Sequence, residues 1–408
     1  MKRIIALLMT LTLSLALFSA CGETNDVPSQ SKKNTTGTTS DALSTQTKTE
    51  TNTAETATQG TPVTDRSETD KTDTGSDTNV AEDYAGVYNP NLPHMIITHN
   101  QLNDTTVVMD LNKCGGDWSK LDSSCVVWEY KSPGALNGYS RRVFSSDAKY
   151  RWSEYYQRYV VIGTSSSNWA GIVDYATGEI LWEVRPGACP HSMEMLPNGD
   201  VVVAGSGGND IKTGKLFYYP ISAGGGTKAS SSLSLSSAHG VCWDPEENVL
   251  WALYYDGIAA VNISGYWTKD AKMKLIDGMG AAFPEGDNNG HDLSPVYGTK
   301  TKYWCTGGKG VWQFDTETNQ LTQIYKHKSS ISTKNVKGIA YFADETIVLS
   351  IAGNGTLKTT QSYNTHNLRI LHLRKTTGKV ESIKATVTEI PFTDMEFYKV
   401  HTFTPDYH

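Results

Sequence analysis

Beyond about residue 94 the chain alternates. Short apolar runs, many with polar residues at every second position, are separated by Gly, Asn, Asp and Pro, and no stretch sustains a helical period. Side chains on a strand point to opposite faces with a period of two, so this pattern predicts an all-β chain. The turns carry a signal of their own. Residues 173–178, Val-Asp-Tyr-Ala-Thr-Gly, end a run with an acceptor for turn amides and a glycine for the positive φ angle, which suits an antiparallel hairpin. The same logic recurs at 313–321 and at 371–380, with Thr377-Gly378 in the turn.

Two segments repeat closely. Residues 126–131 (VVWEYK) and 180–185 (ILWEVR) each run on to a Pro-Gly and lie 54 residues apart. That period fits one four-stranded blade of a β-propeller with generous loops. Divided by the repeat, the chain predicts a second blade at 149–156, 158–164, 169–175 and 179–185, and a third at 191–196, 200–206, 215–221 and 231–236. A fourth follows at 239–244, 248–254, 257–263 and 271–276, and a fifth at 291–297, 301–306, 309–315 and 320–325. The sixth takes 337–342, 345–351, 367–373 and 379–390. The first blade offers only 94–100, 105–111 and 125–131, and the stretch 397–404 is left over to supply its inner strand. The prediction is therefore a six-bladed β-propeller closed by the C-terminal strand, which leaves no exposed edge.

Six basic residues open the predicted inner strands: Arg151, His191, His239, His291, Lys337 and Lys399, spaced by about 40 to 62 residues. Prolines follow six residues after three of them, at Pro197, Pro245 and Pro405. Inner strands line the channel of a propeller, so all six are expected to face one central funnel. Converging cations depress one another's pKa, which leaves the three histidines neutral until an anion arrives. Such a funnel suits an anionic small molecule or glycan, held through carboxylate or sulfate. It also suits catalysis. His191, His239 or His291 would take a proton while Arg151 or a lysine stabilises the developing oxyanion, the set a polysaccharide lyase needs on a uronic acid. Around the expected mouth stand Trp152, Tyr155, Tyr156, Trp243 and Tyr398, on which sugars can stack, although most such rings fill space between blades. Trp128, Trp182, Trp251, Trp304 and Trp312 fall within strands and read as packing.

Metal signals are weak. Six-fold separation should hold the histidines apart, and residues 287–292 have the flavour of a calcium loop without its downstream glutamate, so no metal and no cofactor is expected. Cys114 could pair with Cys125, and Cys189 with Cys242, leaving Cys305 as a buried thiol. No phosphate-binding loop, nucleophile elbow or nucleic-acid-binding basic stripe is present.

Composition divides the chain further. Lys2 and Arg3 precede an apolar stretch from Ile4 to Phe18, which ends Ser-Ala-Cys at Cys21. Residues 22–83 are Thr, Ser, Asp, Glu, Asn and Gln with few large apolar side chains, too few to offset the entropy of ordering, so they are expected to form a disordered linker. That linker holds 12 acidic and 5 basic residues, so it accounts for the net charge of −7 of the whole chain. The folded part is nearly neutral, and bulk charge names no partner. A monomer is expected, with residues 84–408 as the propeller.

Three resemblances add to this reading. Residues 1–21 resemble a bacterial lipoprotein signal, which implies cleavage before Cys21, lipid on that cysteine, and a protein anchored to a membrane from outside the cytoplasm. The strand–turn–strand motifs resemble the outer hairpins of quinoprotein-type propeller blades. Residues 190–200 (PHSMEMLPNGD) resemble a segment of bacterial arylsulfotransferases, in which a channel histidine carries the sulfuryl group, with Ser192 where that pattern favours Asp. The whole domain is similar to uncharacterised bacterial six-bladed propeller lipoproteins. Together these imply a ligand-binding propeller first; an enzyme in the same funnel, a lyase before sulfuryl transfer or hydrolysis, and a protein-binding scaffold are the alternatives.

Overall fold

The computed structural model of the protein describes residues 93–114, 117–134, 142–284, 287–323, 334–353, 357–372 and 386–408. The signal segment, Cys21, the linker and the turn at Thr377-Gly378 lie outside these residues. Within them, 24 strands make six four-stranded antiparallel sheets. The first sheet holds β1 (Met95–Asn100), β2 (Thr105–Asp110) and β3 (Val126–Lys131). The second holds β4 (Asp147–Ser153), β5 (Arg158–Ser165), β6 (Trp169–Asp174) and β7 (Ile180–Val184). The third is β8 (Pro190–Met195), β9 (Val201–Gly205), β10 (Lys215–Tyr219) and β11 (Ser231–Ser234). In the fourth are β12 (Gly240–Asp244), β13 (Val249–Tyr254), β14 (Gly257–Ser264) and β15 (Lys272–Ala282). The fifth has β16 (Leu293–Pro295), β17 (Lys302–Thr306), β18 (Val311–Asp315) and β19 (Gln320–Gln323), and the sixth has β20 (Val336–Tyr341), β21 (Thr346–Ile351), β22 (Asn367–His372) and β23 (Thr386–Pro391). The last strand, β24 (Val400–Thr402), pairs with β1 and completes the first sheet from the inside. The fold is a six-bladed β-propeller closed by its C-terminal strand.

Burial explains why the strands read as they do. Six apolar clusters are each shared by two neighbouring blades, so the second strand of a blade is covered on both faces. In β9, Val202 and Ala204 pack toward the fourth blade while Val201 and Val203 pack toward the second. Such strands need apolar residues at every position, whereas the outer strands β3, β11 and β19 alternate between half-buried and exposed. The hairpin turns also follow the sequence signal. Asp174 Oδ1 accepts from the amides of Ala176 and Thr177, both at 2.8 Å, and Gly178 takes φ +73°. No helix among the described residues is long and apolar enough to cross a membrane.

Both cysteine pairings fail. Cys125 is a buried thiol whose Sγ donates to Asp122 O at 2.6 Å, and Cys242 is a buried thiol beside Leu293 O. Each packs into an inter-blade cluster, where a small apolar side chain fits, and Cys242 shares its cluster with Cys305. Cys305 is a buried thiol as expected.

Candidate functional site

The inner strands meet around the axis, and contacts between adjacent blades fix which of their residues are equivalent. Asp147 Oδ2 accepts from Met193 N at 3.3 Å, Ser192 Oγ from Val241 N at 3.3 Å, and Asp292 Oδ2 from Ile339 N at 3.0 Å. Asp147, Ser192 and Asp292 thus stand on one rung, each reaching the next blade. Glycine occupies that rung twice because the blades close up there. A Cβ at Gly240 would lie 2.9 Å from Leu293 N, and one at Gly338 would lie 2.2 Å from Val400 N. Counting back one residue gives the ring above the rung: Ser146, His191, His239, His291, Lys337 and Tyr398. At His191 and Lys337 the ladder is bulged, which turns the extra residue toward the axis as well.

All six ring residues line one cavity of about 660 Å³ at this end of the channel. Its walls come from the loop between the second and third strands of every blade, supplying Gln101, Ser166, Ser206, Tyr255, Lys309 and Tyr363 among others. Asn288 and Asn289 complete a lining rich in hydroxyl and amide groups, in which no carboxylate takes part among the described residues. The imidazoles are closer than six-fold separation suggested. His191 and His239 have ring centroids 4.4 Å apart, and His239 and His291 5.1 Å.

The backbone orients these rings. His191 Nδ1 lies 2.8 Å from Cys189 O and His239 Nδ1 lies 2.9 Å from Ser237 O, so each Nδ1–H donates and each Nε2 is left as an acceptor. His291 is held the other way round, with Lys337 Nζ 2.6 Å and Asn289 Nδ2 3.2 Å from its Nε2. Its buried Nδ1 has no hydrogen-bond partner among the described residues. Burial, with Lys399 and Lys337 nearby, pulls His191 down to about 4, and burial pulls His239 and His291 well below their usual value. Burial and the Lys399 charge bring the Lys337 amine down to about 7. The ring is therefore a set of neutral imidazoles beside an amine that titrates near neutrality.

Two of the six expected residues are elsewhere. Arg151 does not line the cavity: it lies deeper along β4, with Nε 2.9 Å and Nη2 3.0 Å from the two oxygens of Glu194. Its guanidinium also stands 5.0 Å from the Tyr407 ring centre. The inner strand of the second blade starts at Asp147, earlier than the predicted 149, so the ring position there is Ser146. Lys399 stands one residue past the ring, below the cavity floor. Its Nζ donates to His239 O at 2.8 Å and His191 O at 3.2 Å, and lies 3.3 Å from Asp292 Oδ1. The aromatic rim is corrected too. Of the five rings, only Tyr398 lines the cavity; Trp152, Tyr155 and Tyr156 belong to the β4–β5 end at the far side, and Trp243 is buried between blades.

Sequence reasoning missed the charged tiers below the ring. Asp147, Lys149 and Arg151 alternate along β4 and so point the same way. Lys149 Nζ is 3.3 Å from Glu194 Oε2, and His401 Nε2 is 2.6 Å from Asp147 Oδ1. Burial alone would raise the Asp147 and Glu194 pKa values; the surrounding cations overcome it and hold both carboxyls low. Asp147, Asp292 and His401 also bring three ligand atoms within 4.8 Å of one another. Lys399 already supplies a cation to that group, so it reads as an ion-pair network. A partial signal was present in the sequence: Asp147, Glu194 and Asp292 stand in, or one residue before, inner strands that are otherwise largely buried.

Similar solved structures include NirN, a dihydro-heme d1 dehydrogenase in complex with DHE, at 11% identity and a TM-score of 0.40 over 75% of this chain and 55% of that one. The chain thus spans about half the length of that enzyme. The β-propeller domain of Cps50 (Swd1) from Myceliophteria thermophila is 12% identical, with a TM-score of 0.43 over 76% of this chain and 89% of that one. No protein of curated function matches. A family model described as "Family of unknown function (DUF6528)" matches residues 123–352, a span that takes in every ring residue except Tyr398.

Proposed function

The chain belongs to the DUF6528 family, and we propose that it is a lipid-anchored monomer outside the cytoplasm that captures an anionic, carbohydrate-derived ligand in the ring cavity. One observation carries this reading: three imidazoles and an amine converge on a cavity whose lining, among the described residues, contains no carboxylate. An entering carboxylate or sulfate would find acceptor nitrogens ready to take up protons, an amine close to charging, and many hydroxyl and amide donors. Sugar hydroxyls suit the same lining, and Tyr398 and Tyr363, with ring centroids 5.6 Å apart, offer faces for a pyranose ring. The signal-like residues 1–21 and the polar stretch 22–83 support a tether to a membrane surface, with the propeller held away from it.

A thermal-shift screen tests the reading. Uronate-containing oligosaccharides should raise the melting temperature while their neutral counterparts do not. The His239→Ala/His291→Ala double variant should lose the response. A shift that persists in that variant would overturn the ring as the binding site, and no shift from any anion would favour a protein-binding scaffold.

A second reading, an enzyme of the lyase type, draws on Lys337. An amine titrating near 7 beside a uronate would be poised to take its α-proton, with a neighbouring imidazole as proton donor to the leaving oxygen. Absorbance of an unsaturated uronate product would reveal turnover.

A further inference from the structure

Among the described residues, every buried lysine of the channel has a carboxylate except one. Lys149 lies 3.3 Å from Glu194 and Lys399 lies 3.3 Å from Asp292. Lys337, equally buried and facing the cavity, instead contacts another base, His291 Nε2, at 2.6 Å. A lysine ammonium normally secures its proton with an anion; here no anion among the described residues is within reach, and Lys399 repels the charge from below. Asn289 Nδ2 also donates to that His291 nitrogen, which leaves the ring proton on Nδ1, buried and unpartnered. Two basic nitrogens therefore share one proton at the wall of a polar cavity. An amine relieved of its proton by desolvation and a neighbouring cation is a nucleophile.

We propose that Lys337 forms a reversible imine with a carbonyl-bearing carboxylate, such as an α-keto acid or the open-chain aldehyde of a uronic acid, with His291 relaying the proton. This rests on the anion-binding reading above and names the ligand class more narrowly. The Nζ lone pair attacks the carbonyl carbon as the C–O π bond breaks onto oxygen. One Nζ proton passes through His291 Nε2 to that oxygen and gives a carbinolamine. The remaining Nζ proton passes by the same route to the hydroxyl, which leaves as water as the C=N bond forms. One water is lost, no electron donor or acceptor is required, and hydrolysis returns the free amine. The carboxylate of the ligand would sit against His191 and His239, whose Nε2 atoms are open to take up protons. The groups facing the amine are His291 from the fifth blade, His239 from the fourth, His191 from the third and Lys399 from the stretch before β24.

Reductive trapping tests this. The purified full chain in detergent is treated with pyruvate or glyoxylate and a mild borohydride, then digested and mapped by mass spectrometry. The expected result is one reduced adduct concentrated on Lys337, lost in Lys337→Arg and kept in Lys212→Arg, a variant of an exposed loop lysine. Labelling should rise as pH climbs through about 7, the value to which burial and Lys399 bring the amine. Absence of label on Lys337, or label spread evenly over exposed lysines such as Lys212, overturns the proposal. Calorimetry with a methyl glucuronide, which has no free carbonyl, separates the two readings: binding without trapping sinks the imine and leaves anion capture standing.

Discussion

The two levels of one channel use the same strand geometry in opposite ways. Below the ring, inward-pointing charges are matched: Arg151 and Lys149 with Glu194, His401 with Asp147, Lys399 with Asp292. In the ring itself, His191, His239, His291 and Lys337 face the cavity with no carboxylate to match them. Taking charges out of water is expensive, so the lower tier is tolerable only because its partners are in place. The ring accepts a similar burial without compensation and answers it by giving up protons. A protein interior seldom leaves such a group unanswered unless a ligand completes it. On the proposed reading the lower tier is structural and the ring is the binding site, so substitutions at the two levels should have opposite effects.

The largest effect is expected in the lower tier. Glu194→Gln leaves Arg151 and Lys149 buried without their counter-charge, and should cost about 3–5 kcal/mol in denaturant unfolding. Asp147 and Glu194 both sit below their ordinary values of 3.8 and 4.5. Their contribution is full above those values and is lost as pH falls through the lower folded values, so the wild type should weaken toward acid more steeply than Glu194→Gln.

Removing a charge from the ring should do the reverse. Lys337 has its pKa lowered from 10.5 to about 7 on folding, so at neutral pH and below the folded state carries a penalised charge. Between about 7 and 10.5 the unfolded chain binds the extra proton, and stability rises with pH. Lys337→Met should therefore gain about 1–3 kcal/mol near neutrality, since cavity water relieves part of the penalty, and should lose the rise between those two values. A loss of stability in this variant would break the comparison.

The smallest effect on folding is expected at His239, which has no ion-pair partner. His239→Ala should change stability by less than about 1 kcal/mol while weakening anion binding tenfold or more, about 1.4 kcal/mol. An equal loss in folding and binding would show that this ring position is structural.

Much of this organisation was legible in the sequence. Strand alternation, the Asp-x-x-Thr-Gly turns and the unassigned 397–404 led to six blades and their closure, because those signals are local or follow from counting. Four ring residues were found for the same reason: a basic side chain at each strand start is visible. Ser146 was not, and Tyr398 was placed only at the mouth and not in the ring, since only the inter-blade rung sets their register. Arg151 and Lys399 were assigned to the ring because a slip along an inner strand cannot be sensed without the neighbour it touches. Their true partners, Glu194 and Asp292, lie on other blades, and sequence separation hides such pairs. The bulges at His191 and Lys337, which put two consecutive residues near the axis, also break the strict period of two on which the reading relied.

The proposal that the ring binds an anion is tested most directly by proton linkage. Calorimetric titration with a methyl glucuronide at about pH 8, repeated in two buffers of different ionisation heat, counts protons taken up on binding. An anion seated among His191, His239, His291 and Lys337 should raise their pKa values, so binding should draw in close to one proton and the measured heat should change with the buffer. Binding with no proton uptake, or with proton release, would contradict the account.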